Sequence, residues 1–119
     1  MLLNICKSKI HRATVTDANL DYIGSITIGK EMMEAAGILP YQMLHVNNVA
    51  NGAHWETYAL KGKPGEICLN GPPAHHFKRG DKVIILALAW MEEEKAKIHK
   101  ATIVFVDDQN KITEVKQGY

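Results

Sequence analysis

In the stretch NLDYIGSITIGKE, residues 19–31, Gly24 stands directly before Ser25, with no Pro, Asn-Gly or Asp-Gly that would make an ordinary tight turn. Gly24 reaches backbone angles closed to other residues and leaves its carbonyl unshielded by a Cβ, so the Ser25 hydroxyl can reach back to it. Two outcomes are open to such a pair. In a plain turn the hydroxyl bonds a nearby backbone group. In the other, it attacks the Gly24 carbonyl and converts the peptide to an ester; elimination and hydrolysis then leave a pyruvoyl group on the new N-terminus. That route needs backbone strain and an oxyanion donor.

The elements that must hold this pair are mostly strands. KIHRATVTDA alternates polar with apolar side chains and ends in Asp17-Ala18-Asn19, which predicts a strand running into a turn. SITIGK is a second short strand. KEMMEAAGIL spaces Met32, Met33, Ala36 and Ile38 as a helix does and places Gly37 to end it. YQMLHVNNV and HWETYAL flank Asn51-Gly52, the strongest hairpin signal in the chain, and are expected to pair. GEICLNG is a short strand leading into PPAHHFKRGDK, an irregular loop whose prolines cannot sit in a central ladder. KVIILALAW is apolar almost throughout and predicts a strand buried on both faces; MEEEKAKIHK predicts one or two helical turns, and ATIVFVDDQNKITEV a strand, turn and strand. Six or more short strands with one or two short helices fit a small closed barrel, since closure removes exposed edges.

With 119 residues, 46% of them hydrophobic and 23% charged, the chain is long enough for one core and has no room for two. The net charge of +1 and the mixed Lys and Glu provide no basic stripe for a phosphate backbone, so nucleic acid is not an expected partner. No apolar run is long enough to span a bilayer and the N-terminus lacks a signal-peptide pattern, so no membrane partner and a cytoplasmic location are expected. Cys6 and Cys68 lack any ligand spacing and read as small buried hydrophobes in a reducing compartment.

KIHRATVTDANLDYIGSITI, the Asn51-Gly52 hairpin followed by ETY, and GEICLNG followed by GDKVII together resemble the pyruvoyl-dependent aspartate 1-decarboxylases, in order and spacing, along almost the whole chain. The resemblance implies a six-stranded double-psi β-barrel, assembled as a homotetramer, that cleaves itself between Gly24 and Ser25 and converts L-aspartate to β-alanine for pantothenate synthesis. The single domain 1–119 would then become segments 1–24 and 25–119. By position, Ser25 is expected to become the pyruvoyl group, Thr57 to support self-cleavage and Tyr58 to donate a proton. Lys9, His11 and Tyr22 match residues that line the substrate pocket, and Thr57, Asn70, Gly71, Pro72 and Pro73 are also expected there by position. No metal and no PLP are implied, the substrate is a small amino acid, and the resemblance leaves any maturation partner open. The chemistry is coherent: a ketone conjugated to an amide carbonyl is an electron sink, Lys9 offers a point charge for a carboxylate, and a phenol supplies a proton.

Two positions depart from the family pattern. AHWETY puts His54 where the family has an arginine; an imidazole is mostly neutral at pH 7 and offers at most two donors at a wide angle, where arginine offers a fixed charged fork. His54 either still binds a substrate carboxylate or points to solvent and leaves that task to Lys9. After Asn70-Gly71, Pro72-Pro73-Ala74 replaces small alanines, and proline has no N–H to give. His75-His76 with His54 could suggest a metal, but adjacent histidines on a loop point apart, so no metal site is expected. The departures leave two alternatives to aspartate decarboxylation: the same chemistry on another acidic or specialised amino acid, and an uncleaved barrel acting as a binding module.

Overall fold

The computed structural model describes residues 1–22, 24–71 and 75–119. Among them are nine strands and two short helices: β1 (Leu2–Thr14), β2 (Asp17–Asn19), β3 (Ser25–Gly29), α1 (Lys30–Ala36), β4 (Met43–Asn48), β5 (His54–Gly62), β6 (Ile67–Asn70), β7 (Lys82–Glu92), α2 (Glu93–Ala96), β8 (Thr102–Val106) and β9 (Ile112–Gln117). Hydrogen bonding orders them β2-β6-β3-β5-β4-β7-β1-β8-β9.

The two places occupied by β1 and β2 in that order close the sheet. β1 pairs with β7 antiparallel as far as Thr14–Lys82, and its other partner is first β8, in parallel, over Ser8–His11. A register shift between Ile10 and Ala13, with Arg12 at φ 58°, then bends the strand as a β-bulge does. Past the bend the Thr16 N–H donates to the Ile67 carbonyl at 2.8 Å, and β2 continues in parallel with β6. The Thr16 hydroxyl donates to the same carbonyl at 2.9 Å and accepts the Ile67 N–H at 3.0 Å. With β1 and β2 counted as one bent strand, the ring β1/β2-β6-β3-β5-β4-β7 has the six members of the expected barrel, and β8 and β9 are added outside it.

Strand alternation sends Ile10, Ile26, Ile28, Leu44, Val46, Ala59, Ile67, Leu69, Val83 and Ile85 into the ring as its core. Met32, Met33 and Ala36 of α1 join them, and Gly37 closes the helix in the left-handed conformation, φ 66°, as predicted. The Asn51-Gly52 hairpin also forms, pairing Asn47 with His54 and Met43 with Tyr58.

Three expectations are corrected. Asp17-Ala18-Asn19, read as a turn, is strand β2, because a long-range parallel partner overrides local turn preference. β1 begins at Leu2, well before the predicted strand. In β7, read as buried on both faces, Val83, Ile85 and Ala87 are buried, whereas Ile84, Leu86 and Leu88 are half-buried on the outside of the single chain.

Candidate active site

Ser25 opens β3, and pairing decides what surrounds it. Ser25 lies opposite Asn70 and Thr27 opposite Cys68 in the antiparallel ladder with β6, so these four side chains share one face, the one turned away from the core. The face is nevertheless sealed at the nucleophile: Ser25 has 0% exposure and Asn70 4%. The Asn70 amide nitrogen donates to Ser25 Oγ at 3.0 Å and to Thr27 Oγ1 at 3.1 Å. Its oxygen accepts from Cys68 Sγ at 3.2 Å. Burial pushes the Cys68 thiol up, and the charges of Asp17 and Glu66 push it further, so it remains an S–H donor at neutral pH. The thiol therefore fixes the direction of the amide, and the amide holds the serine oxygen.

Gly24 is clamped by the residue after Asn70. Gly71 has φ 92°, its N–H donates to the Asn19 carbonyl at 2.7 Å, and a Cβ on it would lie 2.8 Å from Gly24 Cα. Only glycine allows this approach. On the other side of Gly24 the nearest side chain is Trp55, 3.8 Å from where a Cβ would stand.

β5 runs parallel to β3 with Ile26 beside Ala59, both in the core. Carrying that register back sets Ser25 level with Tyr58 and Gly24 level with Thr57. Thr57 is buried and pairs with Leu44; Tyr58 is half-buried with its ring 6.3 Å from that of Tyr41. Thr57 and Tyr58 of the ETY motif thus stand on the strand beside β3, with their side chains on opposite faces of it.

The other expected residues lie apart from this cluster. Lys9 and His11 are on the stretch of β1 paired with β8. Lys9 Nζ donates to the Tyr119 hydroxyl at 3.1 Å, and His11 packs edge-on against Phe105 with centroids 5.6 Å apart. Burial, then the charges of Lys9 and Arg12, hold the His11 imidazole below its usual value, so it is neutral at pH 7. Tyr22 contributes its backbone near Gly71, while its side chain is exposed. His54 meets Asn47 at 2.6 Å, and its ring lies tilted by 43° beside that of His45. Pro72 and Pro73 lie outside the described residues. Among the described residues, Ser25 does not line either of two cavities of about 460 and 200 Å³.

Thr27 and Cys68 were missed by sequence reasoning. Each is two residues from a recognised site residue on a strand, Thr27 from Ser25 and Cys68 from Asn70, and period-two alternation puts each on its neighbour's face.

A family model described as aspartate decarboxylase matches residues 1–113. The chain is 51% identical over 117 residues to an aspartate 1-decarboxylase of Clostridium kluyveri, covering 97% of this chain and 92% of that one. It is 55% identical over 117 residues to that of Caldicellulosiruptor saccharolyticus, covering 97% and 91%, and 54% identical over 114 residues to that of Dehalococcoides mccartyi, covering 94% and 92%. With its buried Ser25 behind Gly24 and a match that runs nearly end to end, this chain belongs to the aspartate decarboxylase family.

Proposed function

We propose that the chain cleaves itself between Gly24 and Ser25 and then converts L-aspartate to β-alanine and carbon dioxide. The observation that carries this reading is the buried Ser25 oxygen, held at 3.0 Å by Asn70 beside a glycine that Gly71 clamps. A serine serving only as a turn hydroxyl has no need of such an enclosure.

In the first stage the Ser25 Oγ–carbon bond to Gly24 forms and the Gly24–Ser25 C–N bond breaks, freeing the Ser25 amine. Loss of the Ser25 α-proton then expels the Gly24 carboxylate from Cβ, and water hydrolyses the resulting enamine with release of ammonia. Asn70, donating to Oγ, fixes the attacking oxygen and stabilises charge on it as its proton leaves. Thr57, on β5 just ahead of its ladder with β3, serves the carbonyl that is attacked.

The residues around position 25 fit a small planar ketone: the enclosure is tight, polar on the Asn70 side and closed by a glycine whose Cβ would intrude. The pyruvoyl group formed there supplies an electron sink for the pair left when carbon dioxide departs. Tyr58, level with Ser25, returns the proton to the substrate carbon, and Lys9 offers its charge to a carboxylate.

The reading includes a homotetramer with sites shared between chains. Lys9 and His11 contact Tyr119 and Phe105 and none of the Ser25 cluster, which supports a pocket completed by their equivalents from a second chain.

A second reading, decarboxylation of a different acidic amino acid, is favoured by His54, which is engaged with Asn47 and His45 and lacks arginine's fork. Turnover of aspartate, glutamate and cysteic acid separates the two. Aspartate is expected to be the best substrate; equal or better turnover of either competitor would overturn the first reading.

A further inference from the structure

The Asn51-Gly52 hairpin sets four polar side chains on the outer face of β4 and β5, with His45 opposite Glu56 and Asn47 opposite His54. His45 Nε2 lies 3.1 Å from Glu56 Oε1, and the two imidazole centroids are 5.1 Å apart. One nitrogen of each histidine and one oxygen of Glu56 all lie within 4.8 Å of one another. Two imidazoles and a carboxylate are a donor set suited to Zn²⁺, which takes three protein ligands and leaves a fourth position open.

Asn47 strengthens the case. Its Oδ1 only accepts, so the 2.6 Å contact with His54 Nδ1 fixes a proton on that nitrogen and leaves the lone pair on Nε2. Orienting a histidine through its second nitrogen is what outer partners of metal ligands do. Tetrahedral ligands at ordinary Zn–N and Zn–O distances stand about 3.4 Å apart. His54 and Glu56 are exposed and His45 half-buried, so rotation of the side chains suffices to draw the donors in. Beside them a cavity of about 200 Å³, bounded by Asn4, Met43, Leu88 and Trp90 as well as His45 and Glu56, leaves room for a fourth ligand.

We propose that His45, His54 and Glu56 bind a divalent transition cation, Zn²⁺ being the best match, with one coordination position open to water or a carboxylate. The proposal departs from the expectation of no metal, which weighed His54 with His75 and His76 and not with the residues the hairpin sets beside it. It goes beyond the decarboxylase reading: of its three donors only His54 is also a candidate for substrate binding, and none comes from the Gly24-Ser25 segment.

The test is calorimetric titration of the untagged, chelator-stripped full chain with Zn²⁺, repeated with Co²⁺ to read the visible bands of a four-coordinate site. Saturable binding of one ion per chain is expected, weakened at least ten-fold by His45→Ala, His54→Ala or Glu56→Gln. Asn47→Ala, which removes no ligand, is expected to weaken it about ten-fold. The double variant His75→Ala, His76→Ala is expected to bind as the parent does. Absence of saturable binding, or binding that survives His45→Ala and Glu56→Gln, would overturn the proposal and leave a hydrogen-bonded polar patch.

Discussion

Asn70 and Ser25 face each other across β6 and β3, and the amide nitrogen of one donates to the hydroxyl oxygen of the other at 3.0 Å in a fully buried setting. The pair is held by a third residue, since Cys68 occupies the amide oxygen and prevents it from turning toward the serine. Asn70→Ala removes the donor from both Ser25 and Thr27. Self-cleavage, followed by the intact mass of protein sampled over time, is expected to slow about 10²-fold, the usual cost of a misplaced reacting group. Cys68→Ala frees the amide without deleting it and is expected to slow cleavage less. Cleavage of Asn70→Ala at the parent rate would remove the residue from the processing machinery.

Gly71→Ala tests the clamp on Gly24. A non-glycine residue at φ 92° is strained by about 1–3 kcal/mol, and the new Cβ would also meet Gly24 Cα at 2.8 Å. Denaturant unfolding, with Ser25→Ala as the common background so that both chains stay intact, is expected to show a loss of at least the backbone term. An unchanged midpoint would mean that the Gly24–Gly71 approach is looser than described.

Tyr58→Phe removes one oxygen and little packing from a half-buried ring. In the proposed scheme this variant cleaves as the parent does, while kcat for aspartate falls about 10²- to 10⁴-fold with a smaller change in KM. Steady-state kinetics on fully processed protein give the answer, and parent-like turnover would assign the proton to another group.

Asp81, in the turn just before β7, links pH to stability. Burial raises its carboxyl, but the Lys78 N–H, the Asn48 amide at 2.8 Å and the Lys78 charge outweigh burial and hold the group below its ordinary 3.8. A carboxyl depressed in the folded state stabilises above its unfolded pKa, and that contribution is lost as pH falls through the folded value. Asp81→Asn is therefore expected to lower Tm at pH 7, with the gap to the parent closing below about pH 3.8. A gap independent of pH would show that charge at Asp81 has no part in it.

What could be read from the sequence was local. Asn51-Gly52 located a hairpin, Gly37 ended a helix, and Gly24-Ser25 with ETY marked the chemistry. What could not be read depends on pairing between distant strands. Asp17-Ala18-Asn19 has turn composition and becomes a strand only because β6 lies beside it. Thr27 and Cys68 enter the site through the β3–β6 ladder, and Glu56 meets His45 only once the hairpin is in register. The half-exposed outer side of β7 has the same origin: its composition calls for cover that the single chain does not supply.

The most direct test of the central claim is the intact mass of the purified protein under denaturing conditions, with Ser25→Ala alongside. The account predicts two fragments from the parent, residues 1–24 and a segment from position 25 that is lighter than its serine form by one ammonia, and a single full-length species from the variant. A parent chain that stays whole through prolonged incubation at neutral pH, or a variant that is cleaved, would contradict it.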